Sequence, residues 1–164
     1  MRLFHYALLP YLPDLQLKGQ WRECCLIADG LAKNGTPNHL LVNRIIDYAP
    51  NHFEEYFLLV VEEMKIRGFS ISKKSVDNMA KNFSEYVLKP STKKFSVVLS
   101  FAKNKQEVID KLFNGWHNKE YLRVCMANLY EKHFFGVGKS RITDEEWERL
   151  LDGYKTITGE DYVI

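Results

Sequence analysis

Cysteine is scarce in this chain of 164 residues, and the three present, Cys24, Cys25 and Cys125, cannot make an even disulfide framework. Two adjacent residues on a helix point about 100° apart, which suits neither a bridge nor shared chelation. They read as free thiols, buried or half-buried. The five histidines, at 5, 39, 52, 117 and 133, are scattered without the spacing of a zinc site, so no structural metal is expected. No apolar run approaches the roughly 18 residues needed to span a bilayer, and no membrane partner is expected. The opening MRLFHYALLPYLPDL is broken by Pro10 and Pro13 and shows no small-residue cleavage pattern. It does not read as a secretion signal, which makes the cytoplasm the expected compartment. Repeats and low-complexity segments are absent as well.

What remains is a composition with 46% hydrophobic and 27% charged residues, enough apolar matter for one compact core, so the expectation is a monomer with a single domain over 1–164. Net charge is only +2, yet residues 65–141 hold sixteen basic against six acidic groups, and 143–164 hold seven acidic against two basic. A basic middle with an acidic tail fits a polyanion-binding surface with the tail folded elsewhere. Helical periodicity runs over 14–33, where Leu17, Trp21, Cys24, Cys25, Ala28, Leu31 and Ala32 share roughly 120° of arc. Further helices are expected at 39–48, at 53–67 behind a capping box of Asn51 and Glu54, at 75–86, at 106–113 and at 119–134. A capping box at Thr143 and Glu146 launches a last helix. The stretch KKFSVVLSFA at 93–102 fits a strand or a buried helix equally. The fold class is all-α: one multi-helix domain with its N-terminal segment packed against the helices.

Several strings invite a functional reading. Gly136-Val137-Gly138-Lys139-Ser140 resembles part of a phosphate loop, but the full pattern needs glycine at 133, where His133 stands, and a preceding strand. A helix end and turn explains it better. Trp116, Tyr130, Phe134, Phe135 and Trp147 have the chemistry to stack on bases, although aromatics at helical spacing usually belong to a core. On the first long helix, Lys18, Arg22 and Lys33 fall within about 60° of one another beside the apolar stripe. Glu23 lies on another line with Gln16, Gly19 and Gln20. Its neighbour one turn back, Gly19, has no side chain, so a ligand or another backbone has room to approach the carboxylate.

The start Met1-Arg2, the segment LQLKGQWRE at 15–23, Lys33 and EEMKIRGFSI at 62–71 together resemble the pyrimidine-dimer DNA glycosylase family, the family of the phage endonuclease V. Bacterial relatives look closer still, with an MRL start, a PYLP run and a Gly-Gln-x-Arg-Glu-Cys-Cys string. The phage-type likeness covers 1–87, and 88–164 forms a helical C-terminal part with the acidic tail. The resemblance implies a base-excision glycosylase and abasic-site lyase acting on damaged double-stranded DNA without a cofactor. In it the N-terminal α-amine, here Met1, is the nucleophile and Glu23 the essential carboxylate. Arg2 and Arg22 contact DNA, Lys33 matches a basic position on the same helix, and Lys18 joins them on the basic stripe.

Elementary acid–base chemistry agrees with a terminal nucleophile. An α-amine titrates near 7.7–8.0, leaving about a fifth of it unprotonated at pH 7.2, against less than about 0.1% of an ordinary lysine. The phage-type enzyme exposes a threonine amine after methionine removal, whereas Arg2 is too large for that excision, so Met1 itself must serve. Gln16 and Leu26 stand where the phage enzyme has a His and an Arg, and His5 is a candidate substitute for the former. These departures leave imine chemistry in place and open the question of which lesion is recognised. The rival expectation is a non-catalytic helical nucleic-acid-binding protein on the same scaffold.

Overall fold

A computed structural model describes residues 1–90, 92, 104–138 and 141–164. The stretch 93–102 therefore lies outside the described residues, as do Lys139 and Ser140 of the glycine-rich string. Among the described residues the fold is all-α: α1 (Asp14–Asn34), α2 (Pro50–Ile66), α3 (Lys73–Val87), α4 (Lys105–Lys111), α5 (Lys119–Phe134) and α6 (Asp144–Thr158), with short 3₁₀ segments at Tyr6–Tyr11 and Asn43–Asp47. None of these helices is long and apolar enough to cross a membrane.

Helix ends follow local chemistry. The Thr143 hydroxyl accepts from Glu146 N at 3.2 Å while the Glu146 carboxylate accepts from Thr143 N at 2.9 Å, which is the expected capping box. Asn104 and Asn118 cap α4 and α5 by accepting from Glu107 N and Tyr121 N, each at 2.9 Å. Gly68, with φ +74°, closes α2: Phe69 N reaches back to Met64 O at 2.8 Å, a turn that favours glycine. Two expectations are corrected. Helix α2 begins at Pro50, whose preset φ suits the first helical position, and not through a capping box at Asn51. The helix expected over 39–48 shrinks to the 3₁₀ turn Asn43–Asp47, because the Asn43 side chain accepts from His39 N at 2.8 Å and diverts the chain into a turn.

Helix α1 packs chiefly on α3 and also on α2, the Tyr6–Tyr11 segment packs on α2 and α6, and α5 packs on α6. One buried cluster runs through all of it, from Leu3 and Leu17 through Tyr56 and Phe83 to Trp116 and Tyr154. Cys24 and Cys125 are buried and Cys25 half-buried, all three as free thiols. Trp116 and Trp147 are core residues, whereas Phe134 and Phe135 are 63% and 72% exposed, against the expectation that each was core. The glycine string has a helix, not a strand, before it. A Cβ on Gly136 would sit 2.1 Å from the Lys132 carbonyl, so close backbone packing accounts for that glycine.

Arg67, the arginine of the EEMKIRG string, holds the N-terminal arm to this core. Its guanidinium donates to the carbonyls of Leu9, Pro10 and Leu12 at 3.2, 2.9 and 2.6 Å, and to Glu63 and Asp14 at 2.7 and 3.0 Å. Arg149 adds bonds to Tyr11 O and Leu12 O at 3.2 and 3.0 Å. The planar fork satisfies carbonyls that a 3₁₀ segment leaves open, and a lysine has only one nitrogen to offer. Arg67→Lys is expected to lower unfolding stability by about 2–3 kcal/mol in urea titrations; an unchanged midpoint would show that this hub contributes nothing.

Candidate active site

Residues 1–5 run as a strap before the first 3₁₀ turn, with no sheet among the described residues to satisfy their backbone. Side chains from three helices and from the turn before α5 do it instead. The Gln20 carbonyl accepts from Phe4 N at 3.0 Å, and its amide donates to Arg2 O at 3.1 Å. The Tyr56 hydroxyl lies 2.8 Å from both Phe4 O and Gln20 Oε1. From α5, the Tyr121 hydroxyl donates to Leu3 O and the Cys125 sulfur accepts from His5 N at 3.4 Å. His117 accepts from Tyr6 N through Nδ1 at 3.2 Å, while its own carbonyl pairs with His5 Nε2 at 2.9 Å.

Burial sets the protonation of these groups. It pushes the Cys125 thiol up to about 11 and the Tyr56 hydroxyl well above the usual phenol range, so both remain neutral. Burial also holds His5 down to about 4 and His117 well below the usual imidazole range. The backbone contact of Cys125 and the hydroxyl bonds of Tyr56 are therefore those of uncharged groups.

The strap delivers the Met1 nitrogen to α1. It lies 4.0 Å from Glu23 Oε2 and 3.5 Å from His39 Nε2. Leu41 N donates to His39 Nδ1 at 3.3 Å, which leaves His39 Nε2 facing the amine. The Glu23 side chain is 27% exposed, yet its Oε2 is buried without a hydrogen-bond partner among the described residues. A buried carboxylate oxygen left unpaired is uncommon in a purely structural role. Its nearest cation is the Met1 amine itself.

A cleft of about 470 Å³ opens over this pair, floored by Met1, Gln16, Gly19 and Glu23 and edged by Arg2 and Arg22. A Cβ on Gly19 would meet nothing within 4 Å, so the missing side chain widens the cleft and does not serve helix packing. Two roomier hollows, of about 520 and 660 Å³, lie elsewhere. In the first, Glu63 is held by Arg67 and Asp110 by Gln106; the second is mainly apolar, with Trp21, Phe57 and Phe83 in its walls. Neither presents an unpaired buried carboxylate beside an amine.

Of the residues singled out from sequence, Met1, Arg2, Arg22 and Glu23 share the cleft. Lys18 and Lys33 do not line it: the Lys18 ammonium sits 4.0 Å over the Phe69 ring, and Lys33 pairs with Asp29 at 2.8 Å. His5 is 5% exposed and caps its own turn through Ala7 N at 3.2 Å, so it is no substitute for a DNA-contacting histidine. Gln16 is buried at the cleft and Leu26 half exposed. Sequence reasoning missed His39, Gln20 and Tyr56, and also Asn128 and Lys132 of α5, which line the cleft. None stands in a recognisable local pattern, because each acts on a segment distant in the chain. No cluster of His, Cys, Asp or Glu suited to a metal occurs among the described residues.

His5 and His117 stay neutral in the fold and gain protons readily only when it opens. Their folded values lie below the unfolded one near 6.5, so their contribution is complete above that pH and is lost as pH falls towards about 4. Urea unfolding is expected to weaken between pH 7 and pH 5, with a limiting slope of about 1.4 kcal/mol per pH unit for each histidine. A flat profile over that range would contradict the assignment.

No curated protein and no solved structure matches the chain. The family model for pyrimidine dimer DNA glycosylase matches residues 1–77, a span that contains the strap, α1 with Glu23, His39 and α2. Over these N-terminal 77 residues the chain is similar to the pyrimidine dimer DNA glycosylase family.

Proposed function

We propose that the protein removes damaged bases from double-stranded DNA and cleaves the resulting abasic site, through an imine formed by the Met1 α-amine. The observation that supports this most is the buried Glu23 Oε2, without a hydrogen-bond partner among the described residues and 4.0 Å from the terminal nitrogen. Extruding the damaged nucleotide brings C1′ within reach of the cleft, and a damaged step opens at lower cost than an intact one. The amine lone pair attacks C1′, the glycosidic bond breaks, and the base leaves with the bonding electrons. The nitrogen gives up a proton, the C1′–O4′ bond opens to the iminium, and O4′ takes the bonding electrons and that proton to become a hydroxyl. Loss of a C2′ proton then expels the 3′ phosphate.

Positive charge develops at C1′ and then on the imine nitrogen, and a carboxylate poised beside it stabilises that charge without reorganising. Glu23 is also the group placed to carry protons between nitrogen, leaving group and C2′. Arg2 and Arg22 at the rim are suited to the flanking phosphates. Pyrimidine dimers are the lesion that the family points to.

Borohydride trapping on a duplex with an abasic site tests this reading. A covalent adduct is expected with the wild-type chain, and Glu23→Gln is expected to slow strand cleavage by about 10²–10⁴-fold while leaving DNA binding in place. Binding without an adduct at any pH from 6 to 9 would sink the enzyme reading and leave a binding protein.

A further inference from the structure

The wall of the cleft facing α1 does not come from the family-matched segment. Asn128 and Lys132 of α5 line it together with Met1, Arg22 and Glu23. At about 100° per residue, Asn128, Lys132 and Phe135 lie within about 60° of one another, and Phe135 closes α5 with its backbone still near helical values, φ −105° and ψ −6°. The line that enters the cleft at Asn128 therefore continues to a phenylalanine at the helix end. That ring is 72% exposed.

Charge along this line is uncompensated. Among the described residues Arg2, Arg22 and Lys132 have no ion-pair partner, and Glu23 is the only carboxylate in the cleft lining. Three cations beside one acid, bordered by a solvent-facing ring, form a surface suited to an anionic partner that also offers flat apolar faces. A nucleic-acid strand has both, in phosphates and bases. An acidic peptide supplies the charge but no stack.

Phe134 provides an internal comparison. It is nearly as exposed as Phe135 and meets that ring edge-on at 4.9 Å, but it points about 100° away around the helix axis and stacks on Tyr130 at 5.7 Å. Any requirement for exposed apolar surface in general would treat the two alike.

We propose that the Asn128–Lys132–Phe135 face of α5 is the second DNA-contacting wall of the site. Lys132 takes a backbone phosphate on the side of the lesion opposite Arg22. Asn128 offers its amide to the extruded nucleotide. Phe135 lays its ring against the base left without a neighbour when that nucleotide swings out. The assignment rests on the glycosylase reading and extends it to a part of the chain outside the matched segment.

Fluorescence-anisotropy titrations of the full chain test it, using an intact duplex and one carrying a tetrahydrofuran abasic analogue, at several salt concentrations. Lys132→Gln is expected to weaken both duplexes and to reduce the slope of log K against log salt by about 0.9. Phe135→Ser is expected to weaken the abasic duplex about tenfold and the intact one less than threefold. Phe135→Tyr, which keeps the ring, and Phe134→Ser are both expected to stay within twofold of wild type on both duplexes. Equal effects of Phe134→Ser and Phe135→Ser, or an unchanged salt slope in Lys132→Gln, overturn the proposal while leaving the glycosylase reading in place. A wild-type chain that binds neither duplex overturns both.

Discussion

The arrangement depends on how an extended strap with no sheet partner has its backbone satisfied inside the protein. A buried peptide group without a hydrogen bond costs about 1–3 kcal/mol, and residues 2–6 carry several. Gln20 and Tyr56 take one side, Tyr121, Cys125 and His117 the other. Because donors and acceptors match pairwise along the strap, it fits in one register only. That register puts residue 1 beside Glu23.

The same constraint explains the asymmetry of the site. The strap occupies the part of α1 that carries Gln16 and Gln20, so this polar line is buried instead of solvated, and Glu23 at its end is left with one oxygen covered and unpaired. Gly19 on the same line stays open, so the covering stops where space for a nucleotide is needed. Helix α5 both anchors the strap, through Tyr121 and Cys125, and lines the cleft, through Asn128 and Lys132. Residues beyond the family-matched 77 are thereby tied to the geometry of the amine.

Much of the helical framework was legible in the sequence, because capping and periodicity are local. Thr143 with Glu146 predicts the start of α6, Gly68 the end of α2, and the Trp21–Cys24–Ala28–Leu31 stripe the buried face of α1. The adjacent cysteines read correctly as packing residues. Pairings that form only when distant segments meet were not legible. A helical wheel places Gln20 on a polar line and cannot show that Arg2 and Phe4 will lie against it. It groups Lys18 and Lys33 with Arg22, yet Phe69 draws Lys18 aside and Asp29 holds Lys33. The resemblance pointed to Met1 and Glu23, but their proximity is a property of the strap, and His39 joins them through a turn organised by Asn43.

The central claim concerns one nitrogen, and the most direct measurement identifies it. After reduction of the trapped complex with abasic DNA, proteolysis and tandem mass spectrometry locate the sugar remnant. The account predicts that it sits on the α-nitrogen of the N-terminal peptide beginning at Met1. A remnant on the side chain of Lys132, Lys33 or any other lysine, with the Met1 amine unmodified, would contradict it.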